Sequence, residues 1–154
     1  MKEQLITFKT AKLAKEKGFN IRTKGYYNDG IYKNTGSEIG QYHSFTNGKP
    51  ITEDIGICLA PTQSLLQKFI REIRGVHIEI HRNASGYYWS MCRSDGGTDL
   101  GWSGISGPNA GGVWDKYEDA LEHALQIQLS YDLPNDLKVI KHWGNYVEFA
   151  FKSR

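Results

Sequence analysis

Apolar positions recur over residues 62–74 with a helical period. Leu65, Leu66, Phe69, Ile70 and Ile73 fall at i, i+1, i+4, i+5 and i+8, one stripe on a 3.6-residue repeat. Pro61 ends whatever precedes the helix, and the Thr62 hydroxyl can accept a first-turn N–H. Gly75 stands where the chain must leave the helix, behind Arg71 and Arg74, whose charges suit its C-terminus. After Gly75 the period drops to two. Val76, Ile78 and Ile80 alternate with His77, Glu79 and His81, which predicts a strand with one buried face. Asn83-Ala84-Ser85-Gly86 reads as a hairpin loop and residues 87–93 as the return strand. That loop sets Ile80 opposite Trp89 and Ile78 opposite Met91 on the core face. The other face then carries His77 near Cys92, Glu79 near Ser90 and His81 near Tyr88.

The flanking segments follow the same logic. Thr7 caps a predicted helix over 8–17 closed by Gly18, with Ile6 and Ala11 placed to form a hydrophobic staple. Its apolar edge (Phe8, Ala11, Ala14) is thin, so this helix must dock on a neighbour. A third helix over 115–129 opens on a capping box, Asp115 with Glu118, and carries Tyr117, Ala120, Leu121, Ala124, Leu125 and Leu129 on one stripe before Pro134 stops it. Residues 137–140 and 145–151 are strand-like, and the second is expected to close the sheet. Residues 20–57 lack a clear period. They hold one hairpin signal, Asp29-Gly30 between Tyr26-Tyr27 and Ile31-Tyr32, and turn formers at 34–37 and 47–50, around Tyr42, His43 and Phe45. Residues 94–112 contain seven glycines and read as a mobile loop whose Trp102 either tucks back onto the core or waits for a ligand or partner. The expected fold is a single α+β domain over 1–154: an antiparallel sheet built on the 77–93 hairpin, with two or three helices packed on one face. Residues 20–57 and 94–112 are its long loop or insertion segments.

Composition narrows the class. A chain of 154 residues, 39% hydrophobic and 23% charged, can bury one adequate core. No apolar run approaches the roughly 18 residues of a membrane span, and the N-terminus shows no apolar leader pattern. Two cysteines make neither a disulfide framework nor a zinc ribbon, so reduced thiols in a cytoplasm are expected. The net charge of +2 hides a polarity. Residues 1–25 carry seven Lys/Arg against two Glu, whereas residues 94–136 carry eight Asp/Glu against Lys116. Such asymmetry suits docking, self-association or a polyanion partner.

Candidate chemistry is sparse. His77, Glu79 and His81 share a strand face and are the one set with metal-ligand character. Side chains at i and i+4 on a strand stand about 13 Å apart, which favours a solvated polar face over a metal site. Cys58, among Ile55, Ile57 and Leu59, reads as a buried, inert thiol; Cys92 with His77 across the hairpin is the one pair that could activate a thiolate. The carboxylates Asp95 and Asp99, and Glu118, Asp119 and Glu122, read as solvated. The glycine-rich segment lacks lysine and the dinucleotide spacing, so no cofactor is expected and a non-enzymatic protein is. A binding role has more to draw on. Lys68, Arg71 and Arg74, with Gln63 and Gln67, line the polar side of helix 62–74, and Tyr87, Tyr88 and Trp89 follow on a strand. Cations beside aromatics suit single-stranded nucleic acid; the plainer assignment puts Trp89 in the core and the arginines at a helix end.

Three ordered motifs carry a family likeness. Ile6-Thr7-Phe8-Lys9-Thr10-Ala11-Lys12-Leu13-Ala14-Lys15-Glu16-Lys17-Gly18-Phe19, then Ala60-Pro61-Thr62-Gln63-Ser64-Leu65-Leu66-Gln67-Lys68-Phe69-Ile70-Arg71-Glu72 with Val76-His77-Ile78-Glu79-Ile80, then Tyr117-Glu118-Asp119-Ala120-Leu121-Glu122 resemble a family of small bacteriophage, prophage and gut-anaerobe proteins without assigned activity. The likeness covers about half the chain; residues 130–154 and the glycine-rich segment depart from it. It implies a context, a mobile-element accessory protein; separately, a protein partner or self-association is expected of this chain. A shorter likeness, two strands followed by a helix starting Tyr-Glu-Asp-Ala-Leu-Glu, is to HicB-like antitoxins and integrase arm-type DNA-binding domains, which keeps nucleic acid as the alternative partner.

Overall fold

The computed structural model describes residues 2–40, 45–46, 49–50, 56–93, 99–102, 114–130, 137–143 and 146–151. In chain order the elements are α1 (Phe8–Glu16), β1 (Thr23–Asn28), β2 (Ile31–Ile39), β3 (Phe45–Thr46), β4 (Lys49–Pro50), β5 (Ile57–Leu59), α2 (Gln63–Ile73), β6 (Val76–Asn83), β7 (Gly86–Arg93), β8 (Asp99–Trp102), α3 (Tyr117–Ser130), β9 (Leu137–Trp143) and β10 (Tyr146–Phe151). Every ladder among them is antiparallel. The α+β class stands. The chain divides into two compact units, Met1–Leu66 and Gln67–Arg154, and the division falls within α2.

In the first unit the sheet order is β2-β1-β5. The Asp29-Gly30 signal holds: Asn28 pairs with Ile31, and both turn residues take positive φ, 47° and 85°. That is the conformation a two-residue primed turn demands. Among its described residues, the 20–57 segment holds the strands β1, β2, β3 and β4. Its pattern hid this because β2 is exposed along most of its length, so no period of two marks it. The helix α1 packs against β5 with Thr10, Ala11 and Ala14 buried, small residues that let the backbones approach. Its cap is the expected one, with Thr7 Oγ1 accepting from Thr10 N at 3.4 Å. Residues 4–6 run alongside 61–63: Ile6 N donates to Pro61 O at 3.2 Å and Gln63 N to Gln4 O at 2.9 Å.

Thr62 caps α2, its hydroxyl accepting from Leu65 N at 3.3 Å. Leu66, Phe69 and Ile70 are buried, but Ile73 is 70% exposed, so the apolar stripe ends one turn early. Gln63, expected on the polar side, is buried. Gly75 has φ +66°, the left-handed geometry that ends the helix without a Cβ penalty.

In the second unit β6, β7 and β8 form one sheet in that order. The β6–β7 register is the expected one without a break, from Val76 opposite Arg93 to Asn83 opposite Gly86. On one face Val76, Ile78, Trp89 and Met91 are buried, and α3 packs against both strands there. The helix starts two residues later than the capping box suggested and buries Ala120, Leu121, Ala124, Leu125, Gln128 and Leu129. Trp89 Nε1 donates to His123 Nδ1 at 3.0 Å, which satisfies the indole beneath the helix. Two expectations need correction. Residues 99–102 of the glycine-rich segment are strand β8, because backbone pairing with β7 needs no side-chain pattern. And residues 146–151 pair with β9 in a separate two-stranded sheet rather than closing the hairpin sheet. Tyr42, His43, residues 94–98 and 103–113, and Pro134 lie outside the described residues.

Candidate functional site

Alternation along β6 and β7 divides their side chains between two faces, and the face opposite α3 gathers several of the candidate residues. Across the ladder His77 stands opposite Cys92, Glu79 opposite Ser90 and His81 opposite Tyr88. Trp102 at the end of β8 is the register partner of Ser90, so Glu79, Ser90 and Trp102 form one row across the three strands. His77, Glu79 and His81 are between a third and a half exposed. This face is solvated, as expected of an antiparallel sheet with its core on the other side.

Glu79 is the centre of the face. His77 Nε2 lies 3.3 Å from its Oε1 and His81 Nε2 lies 3.5 Å from its Oε2. Each contact becomes an ion pair when its imidazole is protonated. His81 is held from three directions. Its Nε2 is 2.8 Å from Ser90 Oγ, and its ring stacks on Tyr88 at 5.0 Å between centroids, 22° from parallel. Ser90, which the expected hairpin register already set near Glu79, belongs to this cluster.

A zinc ion would need ligand nitrogens about 2.0–2.1 Å from one point. Here the two imidazoles sit on opposite oxygens of one carboxylate, as their separation of four strand positions requires. Among the described residues no group of three or more His, Cys, Asp or Glu is arranged to hold a metal ion. Cys58, in the other unit, is buried, and burial pushes its thiol above its ordinary range although Lys15 and Lys12 pull it down. Neither cysteine forms a disulfide.

The basic residues of α2 have partners on their own helix and on α3. Lys68 and Arg71 each lie within about 4 Å of the Glu72 carboxylate, at 3.9 and 4.0 Å, on the solvated side of the helix. Exposed pairs of this kind contribute about 0–1 kcal/mol, and Glu72 offsets part of their charge. Arg74 donates from Nε to Oε1 of buried Gln128 on α3 at 3.0 Å, a structural tie rather than a free cation. Tyr87 and Tyr88 point to opposite faces: Tyr87 meets Tyr117 edge-on and carries Arg82 over its ring at 5.0 Å, while Trp89 is core. Of the two assignments open for these residues, the plainer one holds for Trp89, which is core.

Among the described residues, no helix is long and apolar enough to cross a membrane. Compared with protein-family models, with curated proteins and with solved structures, the chain matches none.

Proposed function

We propose that this chain is a non-enzymatic accessory protein, of the phage type its motifs resemble. It works by binding a protein partner, a second copy of the chain included, through the outward face of the β6–β7–β8 sheet. One observation carries the reading. His81 on that face is stacked on Tyr88, bonded to Ser90 and drawn to Glu79, so a half-exposed aromatic–polar patch is already ordered. Side chains ordered in advance lose less freedom on association, and a tyrosine among polar groups is the usual composition of an interface anchor. The non-enzymatic part draws on two side chains outside the Cys92–His77 pair. The Cys58 thiol is buried and held protonated, and His123 Nδ1 is engaged by Trp89. A reducing, cytoplasmic setting belongs to the reading because Cys58 and Cys92 are both thiols.

A photo-crosslinking amino acid at position 88 tests it. The expected result is one discrete protein adduct, with the same probe at position 68 on α2 giving none. Smeared or absent adducts at 88, together with a monomeric native mass at all concentrations, would remove the proposal.

A further inference from the structure

The first unit carries a surface of a different kind. Phe8 on α1, Tyr27 on β1 and Tyr32 on β2 form a chain of rings, 5.7 Å from Phe8 to Tyr27 and 5.9 Å from Tyr27 to Tyr32. Tyr27 is fixed at its far end, where its hydroxyl donates to Ile6 O at 2.6 Å. Tyr32 lies over Gly25 so closely that a Cβ there would come within 2.5 Å of its hydroxyl oxygen. The outer end is open: Tyr32 is 37% exposed and its neighbour Ile31 62%.

Cations line the same side of α1. Lys12 Nζ sits 4.9 Å from the centre of the Phe8 ring, one helical turn along. Lys15, a further turn along, donates to Ile57 O at 2.8 Å. Lys9 is exposed beside them. Glu16 is the acidic residue in this stretch of helix. Residues 2–40 as a whole carry eight Lys/Arg against Glu3, Glu16, Asp29 and Glu38.

We infer that this edge is a contact surface for single-stranded nucleic acid, with Tyr32 as the stacking platform and Lys9 and Lys12 as the phosphate contacts. A ring braced from behind with one side open suits an unpaired base, whose flat face any exposed aromatic can meet. A duplex hides those faces, and an acidic peptide has none. The lysines supply the backbone term, which is independent of sequence and sensitive to salt. The inference goes beyond the protein-binding face of the second unit and does not depend on it.

Fluorescence anisotropy of the full chain with a labelled oligothymidine at about 50 mM salt is the test. Binding should fall steeply towards about 200 mM, and a duplex of the same length should bind more weakly. Tyr32→Ala should weaken the single strand on the order of tenfold. Lys9→Gln with Lys12→Gln should weaken all sequences alike, while Lys68→Gln with Arg71→Gln should change nothing. These side chains are exposed, so unchanged circular dichroism will confirm that each variant still folds. No binding at low salt overturns the inference. So does Tyr32→Ala binding like the parent, which would leave charge alone at work. Equal competition by polyglutamate would also overturn it, because the surface would then be a general polyanion site.

Discussion

The β1–β2 hairpin turns on Asp29-Gly30 with both residues at positive φ, whereas β6–β7 turns on Ala84-Ser85 beneath an asparagine side chain. Asn83 Oδ1 accepts from Ser85 N at 2.9 Å and from Gly86 N at 3.1 Å, so a side chain does what backbone handedness does in the other turn. Beyond the turns the two diverge. The β6–β7 ladder runs through eight pairs without a slip, while β1–β2 shifts register between Thr23 and Gly25. A one-residue slip in β6–β7 would send into water either Ile78 on β6 or Trp89 and Met91 on β7. In β1–β2 the register rests on the turn and on partly exposed contacts such as Tyr32 over Gly25, because β2 has no buried face to enforce it. At the slip itself, buried Thr23 donates from its hydroxyl to Gly25 O at 2.7 Å. A turn can start a ladder; a buried face keeps it aligned.

The sharpest way to break this comparison is to empty the face that does the aligning. Trp89 is 2% exposed, and Trp89→Ala should cost about 3–5 kcal/mol, read as a lower urea midpoint at constant slope. The counterpart in the other hairpin, Tyr32→Ala, should cost about 1 kcal/mol or less, since half-exposed rings lose little burial. Equal losses would mean that both hairpins are held by burial.

The turns come next. Gly30→Ala puts a Cβ at φ +85° and should cost about 1–2 kcal/mol, although the nearest Phe8 atom, 3.5 Å away, leaves room for it. Asn83→Ala removes the acceptor of two backbone N–H groups and should cost about 1 kcal/mol, with register preserved by the buried face. Cross-strand contacts seen by NMR in Asn83→Ala check that second half. If they shift by one residue, the turn rather than the core was setting the β6–β7 alignment.

What could be read from residues alone follows the same division. The 77–93 hairpin was legible to the individual pair because its pattern and its turn agree. The caps at Thr7 and Thr62 and the ends of α1 and α2 were legible from local chemistry, which needs no partner. The extent of β2 was not, since a strand exposed on both sides carries no period, and β8 was not, since Gly101 and its neighbours pair through backbone alone. The candidate site was half legible. Register placed His77, Glu79, His81 and Tyr88 together, and the i,i+4 spacing of Lys68 and Glu72 could have paired them, but Arg74's tie to Gln128 depends on packing that no spacing rule encodes. The Phe8–Tyr27–Tyr32 chain joins residues from three separate elements, so it shows only once the strands are paired.

The smallest expected effect separates the two sheets by their cysteines. Cys58 on β5 stands opposite Tyr27, and burial raises its pKa, with Lys15 and Lys12 acting in the opposite sense. Cys92 on β7 stands opposite His77 and is half-buried. A thiol whose folded pKa exceeds its unfolded value, about 8.5, favours the native state while it remains protonated. That contribution is fully present below about pH 8.5 and is lost as pH rises through the folded value. Stability of the parent should therefore decline more between about pH 8 and 10 than that of Cys58→Ala, measured as the difference in urea midpoint. Iodoacetamide on the native protein should label Cys92 well before Cys58, with the order visible by peptide mass. Labelling of Cys58 as fast as Cys92 would show that the sheet beneath α1 opens as readily as the solvated face of β6–β7, and the contrast between the two sheets would fail.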